Sequence, residues 1–264
     1  MVNSPNGDVT VDQCEYAATI NKIPVTGHRT AMKTSYLSEE EKTEYRSLVG
    51  QLNWIGTQTR PDILFDVCEL SVNFQNATVE HLLRLNKVVD RIHNHQVRIN
   101  FPSSDMLNVM HLECYSDASF GNLAKSASMG GFVIFLKDKN GKSSPLYWQA
   151  RKIRRVVKST IAAETLALLD CAEAAIYIAN ILQELTGIVL KICCRVDNKS
   201  LVDSLYSSKN VEDKRLRIDI AVLQDMIERK EITEVSWVAT QLQLANCLTK
   251  RGASTTELLE AISR

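Results

Sequence analysis

The hydrophobic period of this chain changes near residue 96, and that change limits its fold more than any other feature. Before it, apolar residues recur at helical spacing; after it, short apolar runs alternate with amphipathic stretches. In the first part, after a short irregular start, Ser38-Glu39-Glu40-Glu41 has the form of a helix N-cap with acids in the first turn. It leads into the apolar stretch Leu48–Ile55. Arg60-Pro61-Asp62 punctuates that helix, and Ile63, Val67, Leu70 and Val72 suggest a second. Thr78 caps a third that runs to about His95, with Leu82, Leu83, Leu85, Val88, Val89 and Ile92 on its apolar side.

The second part has the order β-β-β-α-β-α-α-β-α. Strands are expected at Met110–Ser116, Gly130–Lys137 and Pro145–Gln149, with Lys139-Asn140-Gly141 as a hairpin turn. A long helix over about Thr160–Thr186 ends near Gly187. There follow a strand at Leu190–Val196, a short helix at Lys199–Tyr206, a longer one at Asp213–Arg229 and a strand at Thr233–Val238. Leu242–Lys250 opens a last helical segment. Three strands in hairpin succession, then alternating helices and strands, predict an α/β fold: a mixed five-stranded sheet flanked by helices, preceded by a small mainly helical segment. Pro102, Ser103 and Ser104 mark a boundary between about 98 and 108, giving residues 1–100 and 105–264 as two units.

A hydrophobic content of 45% is ample for a core. Lys plus Arg and Asp plus Glu are equal at 31 each, so nucleic-acid binding would have to come from a local basic patch. The seven cysteines form no CxxC pair and mostly adjoin apolar residues, as free thiols of a reducing compartment do. The start lacks the pattern of a signal peptide, and no stretch of about 18 apolar residues free of charge occurs. A soluble intracellular protein without membrane contact is expected, in nucleus or cytosol.

Three acids stand out. Asp117 follows an apolar strand in Tyr115-Ser116-Asp117-Ala118-Ser119, and Asp197 ends another in Cys194-Arg195-Val196-Asp197-Asn198. Glu164 is the single charged residue between Lys158 and Asp170. Singly, a strand-end Asp is a turn or cap residue and a helix Glu is solvated. Together, two strand-end acids facing a helix acid form a hard oxygen site suited to Mg²⁺, completed by phosphate oxygens of a substrate.

The strings YSDASF (Tyr115–Phe120), STIAAETLAL (Ser159–Leu168), VDNKSL (Val196–Leu201) and LQLANCLTK (Leu242–Lys250), in this order and spacing, resemble the ribonuclease H domain of copia-type (Ty1/copia) retrotransposon Pol polyproteins. YRSLVGQLNWIGTQTRPDILFD (Tyr45–Asp66) and Leu70-Ser71 resemble the segment that joins the reverse transcriptase to that domain, the end of the thumb and a connection that help grip a primer–template duplex. The resemblance runs from about residue 12 to 255. It implies an RNase H-like fold and cleavage of the RNA strand of an RNA–DNA hybrid by two Mg²⁺ ions, with Mn²⁺ as the other candidate. Carried over, Asp117 bridges both ions, and Glu164 and Asp197 hold the one on the leaving-group side.

The family's fourth acid is an Asp where this chain has Asn246, and no acid lies between Glu234 and Glu257 to replace it. A neutral amide weakens the ion that activates the attacking water. Decay of an old element, deliberate inactivation, a domesticated copy kept for binding, and weak Mn²⁺-supported activity all remain open. The resulting expectation is an RNase H-type hydrolase, weak or inactive, with a non-catalytic nucleic-acid-binding or protein-interaction module as the alternative. The chain contains no Asp-Asp pair, so polymerase activity is not expected and the polymerase part of the parent polyprotein lies outside it.

Arg151, Lys152, Arg154, Arg155 and Lys158 place five cations in eight residues before the Glu164 helix, with Ser159 beside them. They are expected to hold hybrid or other nucleic-acid phosphates, against the plainer reading of a solvated loop. Trp148, with Tyr147 beside it, reads as a core aromatic at a strand end, against the alternative of stacking on a base or sugar. His28, His81, His93, His95 and His111 lack partners spaced for zinc, and no GxSxG elbow exists.

Overall fold

The computed structural model describes residues 2–3, 5, 7–103, 110–207 and 211–263; Ser104, and with it part of the expected boundary, lies outside the described residues. In the first part, helix α1 spans Cys14–Thr19, α2 Gly27–Ala31 and α3 Glu39–Gln58. Ser38 starts α3 by a reciprocal capping box: its hydroxyl accepts from the Glu41 N–H at 3.2 Å, and its own N–H donates to Glu41 Oε2 at 2.8 Å. The same Glu41 carboxylate accepts from Arg29 Nε at 2.9 Å, which ties α2 to the start of α3.

Pro61 opens a 3₁₀ turn (Pro61–Ile63) that redirects the chain into α4 (Leu64–Ser71), and α5 follows over Val79–Asn94. The expected apolar faces of these helices meet in one core, where Tyr45, Leu52, Ile55, Leu70, Leu82, Leu85 and Val89 are buried. Arg60 and Asp62 form a buried ion pair under this core, and Arg60 Nη1 donates to the His95 carbonyl at 2.8 Å.

The first part is not wholly helical. Strands β1 (Val2–Asn3), β2 (Val9–Val11) and β3 (Ile99–Phe101) form a small antiparallel sheet in that order. Strands of two or three residues are too short to show a period, and β2 pairs with β3 from the far end of the segment.

The main sheet is built from β4 (His111–Leu123), β5 (Ala127–Lys137), β6 (Ser143–Lys152), β7 (Lys191–Val196) and β8 (Glu234–Trp237), in the order β6-β5-β4-β7-β8. Strands β4, β5 and β6 are antiparallel neighbours, whereas β7 runs parallel to β4 and β8 parallel to β7. This is the mixed five-stranded sheet that the order of elements in the sequence predicts. Helix α6 (Thr160–Thr186) ends where expected, at Gly187 in the left-handed region (φ 73°), and α7 (Lys199–Tyr206) and α8 (Lys214–Glu228) complete that layer. Small residues of α6, namely Ala163, Ala167, Cys171, Ala172 and Ala175, let it lie close over β4 and β5. By length and composition α6 is apolar enough to cross a membrane; here it lies on the sheet.

The expected helix at Leu242–Lys250 is instead two 3₁₀ turns, Thr240–Leu242 and Asn246–Leu248, and the last helix, α9, begins at Thr256 and runs to Ser263. Gln243 sets the intervening bend. Its buried amide donates to the carbonyls of Ser116 (3.0 Å) and Arg195 (3.3 Å), bonds that a continuous helix would not place there.

The face of the sheet opposite α6 packs Val133, Phe135 and Trp148 against Leu248, Leu258 and Ile262, and also against Leu64, Val97 and Ile99 of the first part. Trp148 is buried, as read from the sequence, and its indole N–H donates to the Gly56 carbonyl of α3 at 2.9 Å. The helical part thus roofs the second face of the sheet.

Candidate metal centre

Parallel pairing of β4 with β7 brings Asp117, far along β4, and Asp197, one residue past β7, toward the same end of the sheet. Glu164 projects from the second turn of α6, which crosses β4. The three carboxylates each offer an oxygen, and these oxygens lie within 4.8 Å of one another. Asp117 is fully buried, Glu164 is 4% exposed and Asp197 is half-buried.

Burial makes the charged forms costly. It pushes the Glu164 carboxyl up to about 9, reinforced by the charges of Asp117 and then Asp197. Asp117 is raised as well, first by burial, against the pull of Lys250 and the Thr249 hydroxyl. Glu164 Oε2 is buried without a hydrogen-bond partner. A buried acceptor of that kind is expensive unless something positive reaches it. An all-carboxylate donor set with one such oxygen fits a hard divalent cation.

The segment after β8 closes the site. Gly131 of β5 lies opposite Asp117, and a Cβ there would come within 2.7 Å of Leu248 Cβ, so only glycine lets this segment approach so closely. The contact sets Thr249 and Lys250 against Asp117: the Thr249 hydroxyl donates to Oδ2, and Lys250 Nζ donates to Oδ1 at 3.1 Å. Lys250 Nζ also donates to Asn246 Oδ1 at 2.5 Å. Asn246 is therefore linked to Asp117 through the Lys250 ammonium group. Sequence reading missed Thr249, Lys250, Gln243 and Gly131. Lys250 lies four residues beyond Asn246 in the same motif, but no local signal singles it out from a solvated lysine.

The open cleft here is lined by Ala118, Ser119, Phe120, Thr160, Glu164, Asp197, Asn198, Lys199 and Lys250. The basic run ends two residues before Thr160, which lines the cleft, and is less free than its composition suggests. Arg151 Nε donates to Asp170 at 3.0 Å, and Arg155 pairs with Asp219. Lys152, Arg154 and Lys158 are exposed and make no ion pair among the described residues. Ser159 is the N-cap of α6, its hydroxyl accepting from the Ala162 N–H at 3.3 Å.

With this geometry in view, similarity to known proteins is informative. The chain is 30% identical over 222 residues to the Retrovirus-related Pol polyprotein from transposon RE1 of Arabidopsis thaliana, a match covering 80% of this chain and 14% of that protein. It is 25% identical over 236 residues to the corresponding polyprotein of transposon TNT 1-94 of Nicotiana tabacum, covering 86% and 17%. It is also 26% identical over 167 residues to a putative transposon Ty5-1 protein of Saccharomyces cerevisiae, covering 58% and 52%.

The chain resembles copia-type retrotransposon Pol polyproteins. It spans about 14% of the length of the RE1 and RE2 polyproteins. No family model matches it. Among solved structures, LC11-RNase H1 in complex with RNA/DNA hybrid aligns at 17% identity and TM-score 0.38, covering 52% of this chain and 93% of that one. A foamy viral protease-reverse transcriptase in complex with RNA/DNA hybrid aligns at 14% identity and TM-score 0.46, covering 87% and 29%.

Proposed function

We propose that this copia-type segment binds an RNA–DNA hybrid across the cleft at Asp117, Glu164 and Asp197, and that its ancestral activity, two-metal endonucleolytic cleavage of the RNA strand, is impaired by Asn246. The observation that carries the reading is the meeting of three carboxylates around the partnerless Glu164 oxygen, with an amide where the family has its fourth acid.

Asp117, Glu164 and Asp197 would hold Mg²⁺. Bound there, the ion would supply Lewis-acid charge to phosphate oxygens. Lys152, Arg154 and Lys158 would hold the phosphates of the hybrid without reading its bases. Asn246 gives the site a neutral oxygen and no charge to draw an ion to the side of the attacking water.

The test is cleavage of an RNA–DNA hybrid by the purified chain in Mg²⁺ and in Mn²⁺, beside Asn246→Asp. The chain should bind hybrid, and the variant should cut at least ~100-fold faster, a usual cost of losing one transition-state charge partner. Equal rates would refute the impairment, and cutting by neither would remove the nuclease ancestry of the site. Charge reversal of Arg154 and Lys158 together should flatten the salt dependence of hybrid binding by about two phosphate contacts. An unchanged slope would sink the patch.

A further inference from the structure

We propose that Lys250 is a resident cation of this centre: its ammonium stands on the Asp117–Asn246 side, where a four-acid site would hold a second metal, and limits the centre to one divalent ion. The inference rests on the metal-site reading above. It concerns how many ions bind rather than whether RNA is cut.

The two sides of the carboxylate cluster differ. Both Asp117 oxygens are engaged on the side of the segment after β8, Oδ2 by the Thr249 hydroxyl and Oδ1 by Lys250 Nζ at 3.1 Å. The ammonium is held from behind by Asn246 Oδ1 at 2.5 Å, so the amide that cannot attract a metal is a good acceptor for it. The other two acids are open to a ligand: Glu164 Oε2 is buried and partnerless, and Glu164 and Asp197 line the cleft that Lys250 also borders.

Charge leads to the same assignment. With all three carboxylates ionised by a bound metal, the ammonium among them leaves a net charge of −2, which a single divalent ion matches. A second ion would have to displace Lys250 or crowd two cations onto one buried aspartate. An Asp at position 246 would add the anion that makes room for another ion. The backbone that carries Lys250 is held in place, because the Thr249 beside it is buried and Asn122 Nδ2 donates to the Thr249 carbonyl at 2.9 Å, and the partly exposed lysine reaches Asp117 from there.

The experiment is titration of the full chain with Mn²⁺, read as loss of the free-ion electron paramagnetic resonance signal, for the chain itself, Lys250→Met, Glu164→Gln and the Lys250→Met/Asn246→Asp double variant. Circular dichroism checks that each is folded. One Mn²⁺ should bind the chain, Lys250→Met should bind it at least ~10-fold more tightly because the like-charge neighbour is gone, and Glu164→Gln should lose it. The double variant should bind two ions with a spin-coupled signal.

A lysine that served only to brace the segment would give the opposite sign, with weaker Mn²⁺ binding in Lys250→Met. That result would overturn the proposal. So would two ions bound by the unmodified chain, which needs no variant to fold and leaves a two-metal nuclease intact. One ion in a folded double variant would also overturn it, and no ion in the chain itself would remove the metal-site reading along with it.

Discussion

Replacing Gly131 by alanine is a sharp test of how the site is assembled. The new methyl carbon would sit 2.7 Å from Leu248 Cβ, 3.1 Å from Thr249 Cγ2 and 3.2 Å from the Gln149 carbonyl oxygen. Carbon atoms settle at about 3.5–4.0 Å, so Leu248 must retreat by roughly 1 Å from a packed core. Overpacking of this kind costs ~1–3 kcal/mol. The retreat also draws Thr249 away from Asp117, weakening a buried bond to a carboxylate in the class worth ~1.5–3 kcal/mol. The gain of ~0.5–1 kcal/mol from removing a strand glycine works the other way.

The net expectation is a loss of about 2–4 kcal/mol, read as a lower urea midpoint at unchanged slope. Gly130→Ala is the control on the adjacent residue. Its methyl would meet Ile153 and Ala167 at 3.4 Å and beyond, an ordinary contact, and stability should change by less than ~0.5 kcal/mol. Equal effects at the two glycines would refute the claim that the close approach at Gly131 positions the segment bearing Thr249 and Lys250.

Three further outcomes are expected. Between its ordinary value of 4.5 and about 9, folded Glu164 keeps a proton that the unfolded chain has lost, so stability should fall as pH rises through that window. Glu164→Gln should flatten this slope and stabilise the chain at pH 8 by ~1–3 kcal/mol in thermal melts without metal; a steeper slope in the variant would contradict it. Asp62→Ala strands the buried Arg60 guanidinium and should cost ~3–5 kcal/mol in chemical denaturation, and a neutral result would mean the pair is not buried in solution. Trp148→Phe leaves the Gly56 carbonyl unpaired beneath the sheet and should cost ~1–3 kcal/mol, with amide exchange faster in α3; protection unchanged there would argue against the contact.

Much of the fold was legible because periodicity and end signals coincided. The Thr160–Thr186 helix shows an apolar run and Gly187 at its close, and the α3 start shows Ser38 with Glu41 three residues on. The small sheet of β1, β2 and β3 was hidden because its pairing joins residues 9–11 to 99–101, a relation no local window holds. The turns near Asn246 were misread as helix because LQLANCLTK has helical composition, while its conformation is set by Gln243 bonds to β4 and β7. Lys250 illustrates a general limit. A lysine near a motif is usually a solvated residue, and only the fold shows that its ammonium meets a fully buried aspartate.

The roof that the helical part makes over the sheet bears on how such a segment can be inherited. Val133, Phe135 and Trp148 on one side and Leu64, Val97 and Ile99 on the other belong to a shared interior, so each half covers apolar surface of the other. A recombination that carried residues 105–264 into a new gene without this partner would transplant an oily underside along with the acids. The recipient would have to supply a new cover before the carboxylate cluster was of use to it. The joint unit keeps that underside covered from the start.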